Sequence, residues 1–233
     1  MTVFNIIKNT GTCETCSAIS AIRRSTQSAH QRSLATTLYG LHRSMYMGEK
    51  EAYYTRCLES MRNPEQAMSI NTDGMDQFKT SIPRNIGDIP QFGQHLQGVI
   101  EHGQEFVIYR SFDNVRKDSA LAIHCMLSQI ERRMERDKEL KRHFPDTFYM
   151  QMDGGSENYN KTTLAILALL VACGVFRTVI VCRMSRGHGH LDNDQKYGVV
   201  TRTTRKKLIN TPQVSLCTIL IVVLLIIILL NGR

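Results

Sequence analysis

Residues 148–195, FYMQMDGGSENYNKTTLAILALLVACGVFRTVIVCRMSRGHGHLDNDQ, decide the fold. They read as strand, acidic turn, helix, strand, acidic turn. Phe148–Met152 is a short β-prone run that delivers Asp153 onto a Gly-Gly turn. Asn158 or Asn160 then caps an apolar helix over Thr163–Cys173, which Gly174 stops. Phe176–Cys182 is β-branched, has glycines on both sides and suits a buried strand. Beyond it come His188, His190, Asp192 and Asp194, four potential metal ligands within seven residues. Carboxylates at the ends of neighbouring strands point to a metal-dependent site.

Working upstream, Ser69–Asn71 forms a short strand running into Asp73, followed by a polar turn with Asp76, Lys79 and Pro83. Two further β-prone runs, Leu96–Glu101 and Glu105–Phe112, flank His102-Gly103 as a hairpin. Asp118 or Ser119 caps a long helix to about Arg142, with an apolar stripe of Ile123, Leu127, Ile130 and Met134. Its opposite face, Glu131 to Lys138, is charged and expected to face solvent. The element order is therefore βββαβαβ, a mixed α/β sheet with helices on its faces.

The N-terminal segment, 1–64, is helical and basic, ends at Pro64, and is expected to divide at Gly40 and Gly48. Cys13 and Cys16 form a C-x-x-C there, half of a Zn²⁺ site or a redox pair, with His30 or Cys57 as ligands that would have to fold back. The core follows over 65–200 and a basic linker over 201–213. Val214–Leu230 is a run of 17 uncharged residues, at the lower limit of a membrane span, expected to form a C-terminal apolar helix. With TRTTRKK before it, such a segment would make a tail-anchored membrane protein with a cytosolic domain. Without an anchoring role for the tail, a nuclear or cytoplasmic location is expected.

The 233 residues and 42% hydrophobic content allow one core of moderate size plus attachments. A formal net charge of +8 favours an anionic partner, nucleic acid or an acidic membrane face, and equally fits a merely basic soluble protein. Seven cysteines without secretory spacing or an N-terminal apolar signal indicate a reducing compartment and argue against secretion.

Three ordered stretches, SINTDGMDQFKTSIPR, MQMDGGSENYNK and RGHGHLDNDQ, resemble a family of transposon-derived, integrase-like proteins. The resemblance runs from about Cys13 to Gln195. It implies an RNase H-like core of the DDE type that acts on DNA. Gly154 stands where that family commonly has Asn, and Leu191-Asp192-Asn193-Asp194 has one acidic residue fewer. From Lys196 onward the chain departs from the family, so the helix expected after the last acidic motif looks truncated.

Such chemistry uses Mg²⁺ or Mn²⁺ on carboxylates. Asp73 and Asp153 end strands, and the third ligand is Asp192 or Asp194. Asp73 and Asp153 are also good turn residues, Asp76 suits a turn, and Glu157 suits a helix start. For His188 and His190 three roles stay open: zinc ligands together with Asp192, groups that position phosphate or water beside a Mg²⁺ pair, or hydrogen-bonding members of a Gly-rich loop.

Overall fold

A computed structural model describes residues 13–75, 94–112, 114–152, 159–185, 187–189 and 192–205. Asp76, Asp153, Glu157, His190 and the apolar run 214–230 lie outside these residues. Among the described residues no helix is long and apolar enough to cross a membrane.

Two helices open the described part of the chain, α1 (Glu14–Ser25) and α2 (Ala29–Arg62). The expected division of α2 at Gly40 and Gly48 does not occur. A glycine inside a helix costs only about 1 kcal/mol relative to alanine, and strong helix formers surround both. The break falls at 26–28 instead, where Ser28 Oγ accepts from Gln31 N–H and starts α2. Asn63 and Pro64 end it, as expected from proline's missing N–H.

Among the described residues five strands follow: β1 (Ala67–Gly74), β2 (Gln94–Glu101), β3 (Glu105–Phe112), β4 (Thr147–Met152) and β5 (Thr178–Arg183). Between them stand α3 (Ser119–Glu139) and α4 (Lys161–Ala172), and α5 (Asp192–Arg205) is the last described element. Asp118 caps α3 and Asn160 caps α4 through their side-chain oxygens. The sheet order is β3-β2-β1-β4-β5. β1 pairs antiparallel with β2 and parallel with β4, and β4 pairs parallel with β5. The hairpin between β2 and β3 turns through 102–104, where Gly103 takes the left-handed φ of +80° that a side chain would resist.

Alternation along β1 separates two faces. Met68 and Ile70 join Phe148, Met150 and Met152 of β4 under α3 and α4, forming the main apolar core. Ser69, Asn71 and Asp73 belong to the opposite face, which α2 and α5 cover. The contacts there are more polar: Ser60 Oγ accepts from Ser69 N–H, and Asn193 Nδ2 donates to the Asn71 carbonyl.

Two expectations are corrected here. β5 is not a buried strand: among the described residues no strand lies beyond it, so its side chains are exposed or half-buried, with Val179 and Val181 packing on the core. Phe176 lies before the strand and stacks on Phe148 at 4.9 Å between ring centroids. In α3, Met134 is exposed while Arg133 and Asp137, expected in solvent, are buried. Glu101, at the end of β2, supplies the counter-charge that draws Arg133 inward. The last acidic motif itself opens a helix, α5, which spans 14 residues from Asp192.

Candidate metal centre

Cys13 is the N-cap of α1, and its Sγ accepts the Cys16 N–H at 3.4 Å. Cys16, three residues on, therefore shares its face of the first turn. His42 comes from α2 and His188 from the segment between β5 and α5. His42 Nε2 lies 3.2 Å from Cys13 Sγ and 3.1 Å from His188 Nε2. Cys16 Sγ lies 3.6 Å from His188 Nε2. All four ligand atoms fall within 4.8 Å of one another, a group that could hold a metal ion.

Neighbouring contacts fix the geometry. Tyr46, one turn after His42, stacks on His188 with centroids 3.8 Å apart and planes 11° from parallel. Glu49, in the next turn of α2, accepts both the N–H and the hydroxyl of Ser185, at 2.8 and 2.7 Å. Ser185 O in turn accepts the His188 N–H at 3.0 Å. Burial and the nearby His42 lower the His188 pKa, which favours the neutral, ligating imidazole. Burial, with Cys13 beside it, raises the Cys16 thiol, so a bound cation would be what stabilises the thiolate. Two sulfurs and two imidazoles suit a transition metal; Mg²⁺ and Mn²⁺ prefer oxygen.

The described acidic residues are not members of that group. Asp192 opens α5, and its Oδ2 accepts the Tyr53 hydroxyl at 3.0 Å and lies 3.5 Å from His102 Nε2. Tyr53 Oη is 2.9 Å from the same imidazole nitrogen. Burial opposes charge on His102, but the bond to Asp192, with Cys57 and the Ser69 carbonyl, holds its pKa up at about 9. Its Nδ1 lies 3.1 Å from Ser69 O. The His102 hydrogen bond and charge lower the Asp192 pKa, against the opposing effect of burial.

Asp73 is half-buried at the end of β1 and its Oδ1 accepts the Gly74 N–H at 2.8 Å, the turn role weighed from sequence. Its carbonyl accepts the Tyr197 hydroxyl at 2.5 Å. Asp194 is exposed in the first turn of α5. Among the described residues, Asp73, Asp192 and Asp194 do not form a converging ligand group, whereas Cys13, Cys16, His42 and His188 do. His188, flagged beside the acidic motif, therefore joins the cysteine pair. His30 and Cys57, the partners considered for those cysteines, are outside the group. His42 carries no local signature, because its partners are 29 and 146 residues away in sequence. Tyr53 and His102 were invisible for the same reason.

Residues 88–221, more than half of the chain, match the profile of a family described as a domain of unknown function, DUF7869. The match covers β2 through α5, with His188, Asp192 and Asp194, and begins after β1. No curated protein and no solved structure matches the chain.

Proposed function

The chain belongs to the DUF7869 family, and from that premise we propose that it is an RNase H-like, transposase-derived domain that cuts or joins DNA strands. The observation that carries this reading is the sheet order β3-β2-β1-β4-β5, with an antiparallel β3-β2-β1 part and a parallel β1-β4-β5 part. Asp73 stands near the end of the central strand. Its parallel neighbour pairs Met152, the residue before Asp153, with Thr72, the residue before Asp73. Adjacent strands run about 5 Å apart, a spacing that suits two carboxylates sharing a divalent ion. Asp192 and Asp194 enter from the first turn of the helix that covers the same face as Asp73.

On this reading Asp73, Asp153 and either Asp192 or Asp194 hold Mg²⁺ or Mn²⁺, which would activate the nucleophile and ease departure of the leaving oxygen. The group formed by Cys13, Cys16, His42 and His188 takes Zn²⁺ and stays apart from the reaction. The net charge of +8 supports a polyanionic partner.

The test is incubation of the full chain with duplex DNA and Mg²⁺ or Mn²⁺, followed by gel analysis of nicked and joined products. Metal-dependent products that disappear in both Asp73→Ala and Asp153→Ala are expected. DNA binding without products would favour a second reading, a binding domain without catalysis. The engagement of Asp192 by Tyr53 and His102 favours that alternative, since those contacts compete with a metal ion for its carboxylate.

A further inference from the structure

We propose that Cys13, Cys16, His42 and His188 form a closed, four-ligand zinc centre that clamps the α1–α2 arm onto the α/β core. The inference rests on the zinc assignment above and extends it to a structural task.

Distances support a tetrahedron. With Zn–S near 2.3 Å and Zn–N near 2.0–2.1 Å, neighbouring ligand atoms should be about 3.3–3.8 Å apart. The S···N and N···N separations of 3.2, 3.6 and 3.1 Å lie close to that range. Hydrogen bonding alone gives two thiols and two imidazoles little reason to crowd one point. Four protein ligands leave no open position for water, the mark of a structural rather than a catalytic site.

Among the described residues, apolar fastening is sparse at this place. α1 buries only Ile19, and along α2 before Tyr53 only Ala35 is buried. Leu34, Leu38, Leu41 and Met45 are all more than half exposed. The apolar contact that ordinarily docks a helix is therefore scarce over this stretch. The Cys/His group sits there, with two ligands from α1, one from α2 and one from the segment following β5. Tyr46 stacked on His188 and Glu49 bonded to Ser185 surround it and orient that last ligand. A clamp here joins residues far apart in the chain, where a small apolar interface is insufficient.

The experiment loads the full, metal-stripped chain with Co²⁺ and records its visible spectrum, then follows amide hydrogen exchange with and without Zn²⁺. One Co²⁺ per chain with intense tetrahedral bands and a thiolate-to-cobalt band is expected. In Cys16→His, which keeps four ligands, the thiolate band should fall by about half while exchange protection survives. Zinc removal should speed exchange in 14–47 by about tenfold or more and leave β1 and β4 unchanged. Octahedral Co²⁺, no bound metal, or a Cys13–Cys16 disulfide in its place overturns the zinc assignment and the clamp with it. Tetrahedral Co²⁺ with exchange in 14–47 indifferent to metal overturns the clamp alone. Neither readout depends on DNA cleavage, so loss of the nuclease reading leaves both intact.

Discussion

Tyr53 on α2 donates its hydroxyl proton to Asp192 on α5 at 3.0 Å, joining an N-terminal helix to the last described one. Burial, then the charges of Cys57 and Asp192, push the phenol far above its ordinary range, so it remains a donor. Removing the hydroxyl in Tyr53→Phe leaves a partly buried carboxylate with one partner fewer. The expected cost is about 1–3 kcal/mol, read as a lower midpoint in urea unfolding. An unchanged midpoint would mean that water replaces the hydroxyl at Asp192.

Gly98 permits the close approach that locks α5 against β1 and β2. Its N–H donates to the Tyr197 hydroxyl at 2.5 Å, and that hydroxyl donates to the Asp73 carbonyl. A Cβ at 98 would stand 2.5 Å from Tyr197 Oη and 2.9 Å from Phe106 Cε2. Tyr197 is rigid and buried, so it cannot swing aside without leaving Asp73. Gly98→Ala is therefore expected to destabilise by about 1–3 kcal/mol, checked by thermal unfolding. It should also impair any activity that depends on the end of β1.

Much of the α/β frame was legible because each element carries its own local signal. Asp118 and Asn160 announce helix starts, and Gly103 marks the hairpin. Side chains that meet across the fold announce nothing of the kind. Cys13 and Cys16 were recognisable from their spacing, and His188 from its position among ligands, but only the chain path unites them with His42. Burial on α3 carries no local signal for a related reason. Charge on a helix predicts solvent unless a distant strand end supplies the opposite charge, and Glu101 does so for Arg133.

Acid should weaken the hairpin's hold on α3. Burial alone would raise the Glu105 pKa, yet hydrogen bonds from Arg132 and Gln129, with the charge of Arg136, lower it below 4.5. A carboxyl depressed in the folded state contributes stability above its unfolded value, and that contribution disappears as pH falls through the folded value. The melting temperature should therefore drop as pH falls below about 4.5. Glu105→Gln should be less stable at neutral pH and show a shallower acid loss. Parallel acid profiles for the two proteins would assign the effect to other carboxylates.

The ion network beneath that hairpin makes the sharpest demand on stability. Arg133 donates from Nη1 to Glu101 and from Nε to Asp137, each at 2.5 Å, and from Nη2 to the Pro64 carbonyl. Gln129 Nε2 donates to the other Glu101 oxygen at 2.9 Å. Glu101, Arg133 and Asp137 are at most 2% exposed, so removing the cation leaves two carboxylates without it in a region of low dielectric. Arg133→Met should cost about 3–5 kcal/mol in urea unfolding. The cost reflects stranded charge more than a net gain from pairing, because desolvation offsets much of the attraction. Replacing all three in E101M/R133M/D137L should consequently recover most of the loss. If the triple variant is no more stable than Arg133→Met, the network contributes through its geometry, tying β2 and Pro64 to α3, rather than through charge balance.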